Sequence, residues 1–223
     1  MAKKKNGIVS ALERLLFPAR CVLCSKLLEQ ETEDICTECL TAARVFCHEP
    51  WKIPHIKSWL SMWQYTGTVR DSLVRYKFWH RRSYCVTYGR ELAQKLQDAK
   101  LSYDVITWVP ISFLRRVERG YDQVELIAYE LCKHLKDKPV RLLHKHRHNR
   151  RQSGIRGLEN RRRNVRGVYR VVSPEQVKGK RVLLLEDIIT SGATVSECAR
   201  VLKEAGAKEV HAACVAVASR YHR

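Results

Sequence analysis

The feature that most constrains this 223-residue chain is the run Arg181-Val-Leu-Leu-Leu185, apolar without a break after its first residue. A strand that is apolar on both faces needs cover on both. Parallel sheets flanked by helices provide that cover, and half-solvated antiparallel sheets do not. The run passes through Glu186-Asp187 and a stretch of small residues into an amphipathic segment, Val195–Ala205, which Gly206 stops. A second apolar strand, Val210–Ala218, follows. Strand, loop, helix and strand in that order form a βαβ crossover. Asp104–Val109, closed by Pro110, reads as a central strand, and Val140–Leu143 as a further short one. Helical spacing marks Thr66–Phe78, Cys85–Leu96 and Asp122–Leu135, the last with Val124, Ile127, Ala128, Leu131 and Leu135 on one stripe. The expected fold is α/β with a parallel sheet, and such sheets bind ligands outside the carboxyl ends of their strands. The loops that begin at Pro110 and at Glu186 meet there.

Val182–Thr194 then reads as a binding loop. Glu186 and Asp187 leave the strand tip, where carboxylates accept hydrogen bonds from vicinal hydroxyls or approach a divalent cation. Thr190, Ser191, Gly192, Ala193 and Thr194 are small enough for a tight turn whose successive N–H groups converge on one phosphate. The helix that follows adds the positive end of its dipole. Thr194-x-x-Glu197 has the form of a capping box at that helix start. Acids for a sugar and backbone donors for a phosphate suit a phosphorylated ribose. A plain strand-to-helix turn would have no need of an acidic pair ahead of the small residues.

Four of the nine cysteines form two pairs, Cys21-x-x-Cys24 and Cys36-x-x-Cys39, and the other five are scattered singly. An odd, uneven set argues against a disulfide framework. Two knuckles eleven residues apart can bring four thiolates into one tetrahedron, a closed structural Zn²⁺ site with no position for water. A segment of about 30 residues has too little core to fold alone, so the metal would supply much of its stability. The chain thus divides into a helical lead over residues 1–20, with Leu12, Leu15 and Leu16 on one face, a zinc-ribbon-like module over 21–50, and an α/β domain over 59–223.

Lys and Arg number 42 against 23 Asp and Glu, a formal net charge of +19, which favours a polyanionic partner. Between Arg141 and Arg170 stand eleven Lys or Arg and one acid, Glu159, with His144, His146 and His148 among them. A solvated loop is the plainer use of such a run. Aromatic residues also interleave with basic ones over Trp63–Tyr88: Tyr65, Tyr76, Phe78, Trp79 and Tyr84 stand among Arg70, Arg75, Lys77, Arg81 and Arg82. Bases of single-stranded nucleic acid stack on aromatics while cations follow the backbone, although helical spacing puts half of these rings in the core. Trp79-His80-Arg81-Arg82, in the turn between two helices, is the part expected at the surface. No apolar run approaches the roughly 20 residues that span a bilayer. The basic N-terminus has a short apolar patch broken by Glu13 and Arg14 and lacks a signal peptide's form, so a cytoplasmic location without membrane insertion is expected.

Val182–Thr194 resembles the phosphoribosyl-pyrophosphate (PRPP) motif of type I phosphoribosyltransferases: a hydrophobic run, two acids and a Thr/Ser/Gly-rich phosphate loop. Carried over by position, the resemblance gives Glu186 and Asp187 the ribose hydroxyls and Thr190–Thr194 the 5′-phosphate. Two further segments resemble the ComF family of competence proteins. One is Val109-Pro-Ile-Ser-Phe-Leu-Arg115-Arg-Val-Glu-Arg119-Gly-Tyr-Asp-Gln123; the other is Arg147 to Asn164, with Gln152, Gly154, Arg161 and Asn164. That family carries a zinc-ribbon-like N-terminal region, and the likeness spans essentially the whole chain. Its members often have a third C-x-x-C pair; here Cys47 stands alone, followed by His48, so one zinc is expected.

The resemblance implies a type I phosphoribosyltransferase domain preceded by a small zinc-ribbon module. Arg115 and Arg116, with Arg119, follow the first strand's tip, where a planar guanidinium can pair with pyrophosphate oxygens; a surface salt bridge is the alternative for each. The basic loop lies where type I enzymes place a lid, and Arg150, Arg151, Arg161, Arg162 and Arg163 are its candidate nucleic-acid contacts. The likeness implies incoming single-stranded DNA as partner, beside the competence DNA translocase, with a retained PRPP site. The alternative is an active phosphoribosyltransferase using PRPP and Mg²⁺ on an acceptor the sequence does not name.

Overall fold

The computed structural model describes residues 18–29, 34–44, 51–147 and 157–218. Four parallel strands carry the fold: β1 (Ser58–Gln64), β2 (Val105–Trp108), β5 (Arg181–Ile189) and β6 (Glu209–Val217), in the order β1-β6-β5-β2. The apolar runs of β5 and β6 occupy the two inner positions, as burial on both faces requires. Side chains alternate between two cores. Leu183 and Leu185 join Leu73, Tyr76, Leu92, Ile127 and Leu131, under helices α2 (Gly67–Phe78), α3 (Tyr84–Asp98) and α5 (Gln123–Leu135). Val182 and Leu184 join Leu142, Leu143, Val195, Cys198 and Leu202 on the opposite face. Helix α7 (Ala193–Glu204) and an antiparallel ribbon, β3 (Leu143–Lys145) with β4 (Tyr169–Val171), cover that second face.

Several local expectations are corrected. The Asp104–Val109 segment forms β2 at the end of the four-stranded order, not at its centre. It is nevertheless buried, because Val140 donates its N–H to the Ile106 carbonyl at 2.8 Å and Pro139 bridges Ile106 on the outer edge. The strand expected over Val140–Leu143 begins at Leu143 and pairs with β4 instead. Strand β5 runs on to Ile189, so Glu186 and Asp187 are strand residues rather than loop residues. The capping box does not form. Gly192 is the N-cap of α7, in the left-handed region with φ 77°, and Glu197 accepts from Gly167 N at 2.8 Å and from Arg200. The carboxylate expected to cap its own helix ties α7 to the turn before β4.

The cysteine segment rests on the same core as the sheet. Cys21, Val22, Leu23, Ile35 and Cys39 pack in one cluster with Met62, Trp63 and Leu73. Ser72 Oγ on α2 donates to the Val22 carbonyl at 2.6 Å, and Arg75 donates to the Leu23 carbonyl at 2.6 Å. Arg90 on α3 pairs with Asp34 at 2.6 Å. The second knuckle enters α1 (Thr37–Arg44). Most of the helical lead over 1–20, the residues Cys47 and His48, and Arg150 and Arg151 lie outside the described residues.

Candidate functional site

Five segments end together at the carboxyl edge of the sheet: the last residues of β5, the turn after β2, the C-terminal turn of α2, the first turn of α5 and the end of β3. Between them lies a cleft of about 290 Å³. Its lining is mixed in a telling way. Lys77, Arg115, Arg119, Lys145 and Arg161 bring five cationic side chains, Glu186 and Asp187 bring two acids, and Tyr65, Phe78 and Tyr169 bring ring surface. A smaller hollow of about 20 Å³ adjoins it, lined by Glu186 and by residues 188–195. This is the turn expected to cradle a phosphate, at the N-terminal end of α7. Gly192 is fitted closely there: a Cβ on it would meet side-chain carbons of Ile53 at 3.0 Å, and its positive φ already favours glycine.

The two acids are held differently. Asp187 is 4% exposed, and Lys77 Nζ lies 2.9 Å from its Oδ1 while Gln123 Nε2 donates to its Oδ2 at 2.9 Å. Burial works to raise its pKa, but the Lys77 charge and these two hydrogen bonds outweigh burial and hold the carboxyl below its ordinary value. Glu186 is half-buried, and burial together with the neighbouring Asp187 charge pushes its carboxyl well above the usual range against the opposing pull of Lys77. Lys145 is 7% exposed and lies over the Tyr169 ring, 5.3 Å from its centroid. Burial, helped by the Arg115 charge, pulls Lys145 down to about 8. A binding ligand that brings anionic oxygens would stabilise the charged form and push that value back up.

Of the residues singled out in the sequence, the structure brings Glu186, Asp187, Thr190, Thr194 and Arg115 together on the main cleft, and Ser191, Gly192 and Ala193 on the adjoining hollow. Arg116 is elsewhere: it pairs with Glu125 at 2.9 Å, while Arg119, one turn of α4 (Phe113–Arg119) beyond Arg115, lines the cleft and lies over Phe78. Among the basic-loop residues, Arg161 on α6 (Leu158–Val165) lines the cleft, and Arg162 and Arg163 are exposed outside it, with Arg163 paired to Glu159 at 2.6 Å. In the sequence Lys77 stands out only among the interleaved basic and aromatic residues, Gln123 only as the end of the ComF-like segment, and Lys145 only as one of the eleven Lys or Arg between Arg141 and Arg170. Lys77 lies 110 positions from Asp187, and only folding makes them partners. Of the interleaved aromatics, Tyr76 is wholly buried, whereas Phe78 and Trp79 are exposed, Trp79 by 65%.

The sulfurs of Cys21, Cys24, Cys36 and Cys39 all lie within 4.8 Å of one another, and no other such cluster of metal-binding groups occurs among the described residues. Tetrahedral zinc with Zn–S near 2.3 Å needs sulfurs about 3.8 Å apart, and Cys24 and Cys36 are 3.7 Å apart. Cys24 N and Cys36 N donate to Cys21 Sγ at 3.5 and 3.4 Å. Burial would raise Cys21, but backbone N–H groups of Cys24, Cys36 and Leu23 bring it down to about 7, whereas burial pushes Cys24 and Cys39 up. Four thiols so grouped can hold a zinc ion.

Residues 83–222 match the family described as Phosphoribosyl transferase domain, more than half of the chain. The chain belongs to that family. It is similar to Competence protein F of Haemophilus influenzae, 27% identical over 219 residues, covering 92% of this chain and 88% of that protein. DNA utilization protein YhgH of Escherichia coli O157:H7 is 27% identical over 225 residues, covering 90% and 98%. Competence protein ComFC of Streptococcus pneumoniae is 27% identical over 198 residues, covering 85% and 84%. No helix among the described residues is long and apolar enough to cross a membrane.

Proposed function

We propose that the chain binds PRPP in the 290 Å³ cleft and serves natural competence by handling single-stranded DNA in the cytoplasm, beside the competence DNA translocase. The observation that carries the PRPP reading is the convergence of an acidic pair, a tight Thr/Ser/Gly turn and five cationic side chains at one carboxyl edge of the sheet. The 5′-phosphate belongs in the hollow of Thr190–Thr194, and the pyrophosphate belongs against Arg115, Arg119 and Lys145. Mg²⁺, when it accompanies the ligand, supplies neutralisation of pyrophosphate charge, and Glu186 is the carboxylate with room to face it, since both Asp187 oxygens are engaged within the protein. The names of the similar proteins, Competence protein F, ComFC and DNA utilization protein, support the DNA reading. Arg162, Arg163 and the exposed Trp79 are the surface groups suited to it, with Arg150 and Arg151 as further candidates.

Membership of the transferase family favours a second reading, in which PRPP is also turned over onto an acceptor. Incubation with PRPP, Mg²⁺ and each nucleobase, read as pyrophosphate release, separates the two. Release above the rate without protein supports transfer; none with any base, alongside tight PRPP binding, supports a binding role.

A further inference from the structure

Helix α4 turns its apolar side chains to solvent. Phe113, Leu114 and Val117 are 75, 59 and 66% exposed, and no residue of the helix is buried. At about 100° per residue these three fall within an arc of about 100° on one side of the helix. Arg115 and Arg119 fall on the other side and line the cleft. The outer stripe contributes nothing to either core and lines neither the cleft nor the adjoining hollow. Large exposed apolar side chains grouped on one face mark a contact surface. The turn between α2 and α3 abuts the end of this helix. Arg82 donates to the Gly120 carbonyl at 3.4 Å and lies over the Tyr121 ring, 4.8 Å from its centroid. Arg81 and Arg82 are both exposed, and together with α4 they bring five arginines against one acid, Glu118.

Whatever covers this face must offer an apolar interior and negative charge together. Single-stranded nucleic acid has the charge but no apolar interior to take the aliphatic Leu114 and Val117. A second copy has the apolar face but meets it with the same arginines, on chains of net charge +19 each. A bilayer surface with anionic headgroups has both, and it needs no matching groove to take an outward-facing helix. We propose that α4 seats the protein on an anionic phospholipid surface, with Phe113, Leu114 and Val117 entering the headgroup boundary and Arg81 and Arg82 facing lipid phosphates. The chain then lies on the membrane without spanning it, and the seating does not depend on what the cleft binds.

The test is flotation of the full chain with vesicles at about 0.15 M salt, made of phosphatidylcholine alone or with about one third phosphatidylglycerol. Binding to the anionic vesicles is expected, with little to the neutral ones. Leu114→Gln combined with Val117→Gln removes apolar surface without changing charge, and should weaken that binding at least about fivefold. Both side chains are exposed, so the thermal midpoint should stay within about 2 °C. A larger drop would mean that the stripe is packed within the protein, and would count against the proposal. Leu27→Gln alters an equally exposed leucine on the cysteine segment and should bind as the unaltered chain does. No binding to anionic vesicles would overturn the proposal and leave the face to a protein partner. Undiminished binding in the double variant would overturn it as well, since net charge alone would then explain the attraction; so would an equal loss in Leu27→Gln. If the double variant loses affinity for oligothymidine to the same extent, the face is a nucleic-acid surface. If sedimentation velocity finds a dimer that the double variant dissolves, the face joins two copies. Either result also overturns the lipid assignment.

Discussion

Glu186 and Asp187 are adjacent in one strand, yet their surroundings drive them apart. Asp187 has Lys77 and Gln123 against it; Glu186 has burial and a neighbouring negative charge. A carboxyl raised by folding binds its proton more tightly in the native state, so it subtracts stability as pH rises above the ordinary glutamate value of about 4.3. Glu186→Gln should thus raise the thermal midpoint near neutral pH by about 2–4 °C, with the gain fading as pH falls toward 4, while PRPP affinity drops. Melting curves across pH check this; a lowered midpoint at neutral pH would refute the assignment of strain to Glu186. Asp187 is the opposite case. Its lowered pKa contributes stability at neutral pH that is lost as pH falls through the folded value, so Asp187→Asn should lower the neutral midpoint and flatten the acid limb. Lys145 gives a binding signature: PRPP affinity should fall as pH rises through about 8, and Lys145→Met should remove that dependence. None of these three environments was legible in the sequence. The acids were recognisable because they stand in tandem after an apolar run, but their partners come from α2, α5 and β3. Arg115 and Arg116 looked equivalent in the chain; the turn of roughly 100° between neighbours on a helix sends one to the cleft and the other to Glu125.

Elements explain why the cleft keeps its shape. Helices α3 and α5 approach closely at Gly89, where a Cβ would meet Glu130 Cβ at 2.6 Å and Leu131 N at 2.7 Å. Gly89→Ala should therefore destabilise the fold by about 1–3 kcal/mol through forced separation of the two helices, measurable by denaturant unfolding. A stabilised or neutral variant would mean that the helices part easily. The cysteine knuckles sit on α2, whose last turn carries Lys77. Metal removal with a strong chelator, or Cys21→Ser, should for that reason lower the midpoint of the whole domain rather than release a separate module, and the native protein should contain one zinc per chain. The inner strands and the long helices were readable because apolar runs and 3.6-residue stripes are properties of the chain itself. Strand β1, which mixes serines and glutamine with its tryptophans, and the edge position of β2 depend on pairing and were not. The capping box failed for the same reason: Glu197 found better partners across space.

For the molecule as a whole, the net charge of +19 and the exposed Trp79 belong to the DNA reading. Single-strand affinity should fall steeply with salt as phosphate contacts release counterions, and replacing Arg161, Arg162 and Arg163 with Ala should lower that slope by about 2. A flat salt response would remove the DNA claim while leaving the ligand cleft untouched. The ligand claim is the more central of the two and has the more direct test: calorimetric titration of PRPP with Mg²⁺ into the unaltered chain and into Glu186→Ala. Saturable binding of one PRPP per chain, weakened at least about tenfold in the variant, is the result this account predicts. No binding to the unaltered chain, or equal affinity in both, would contradict it.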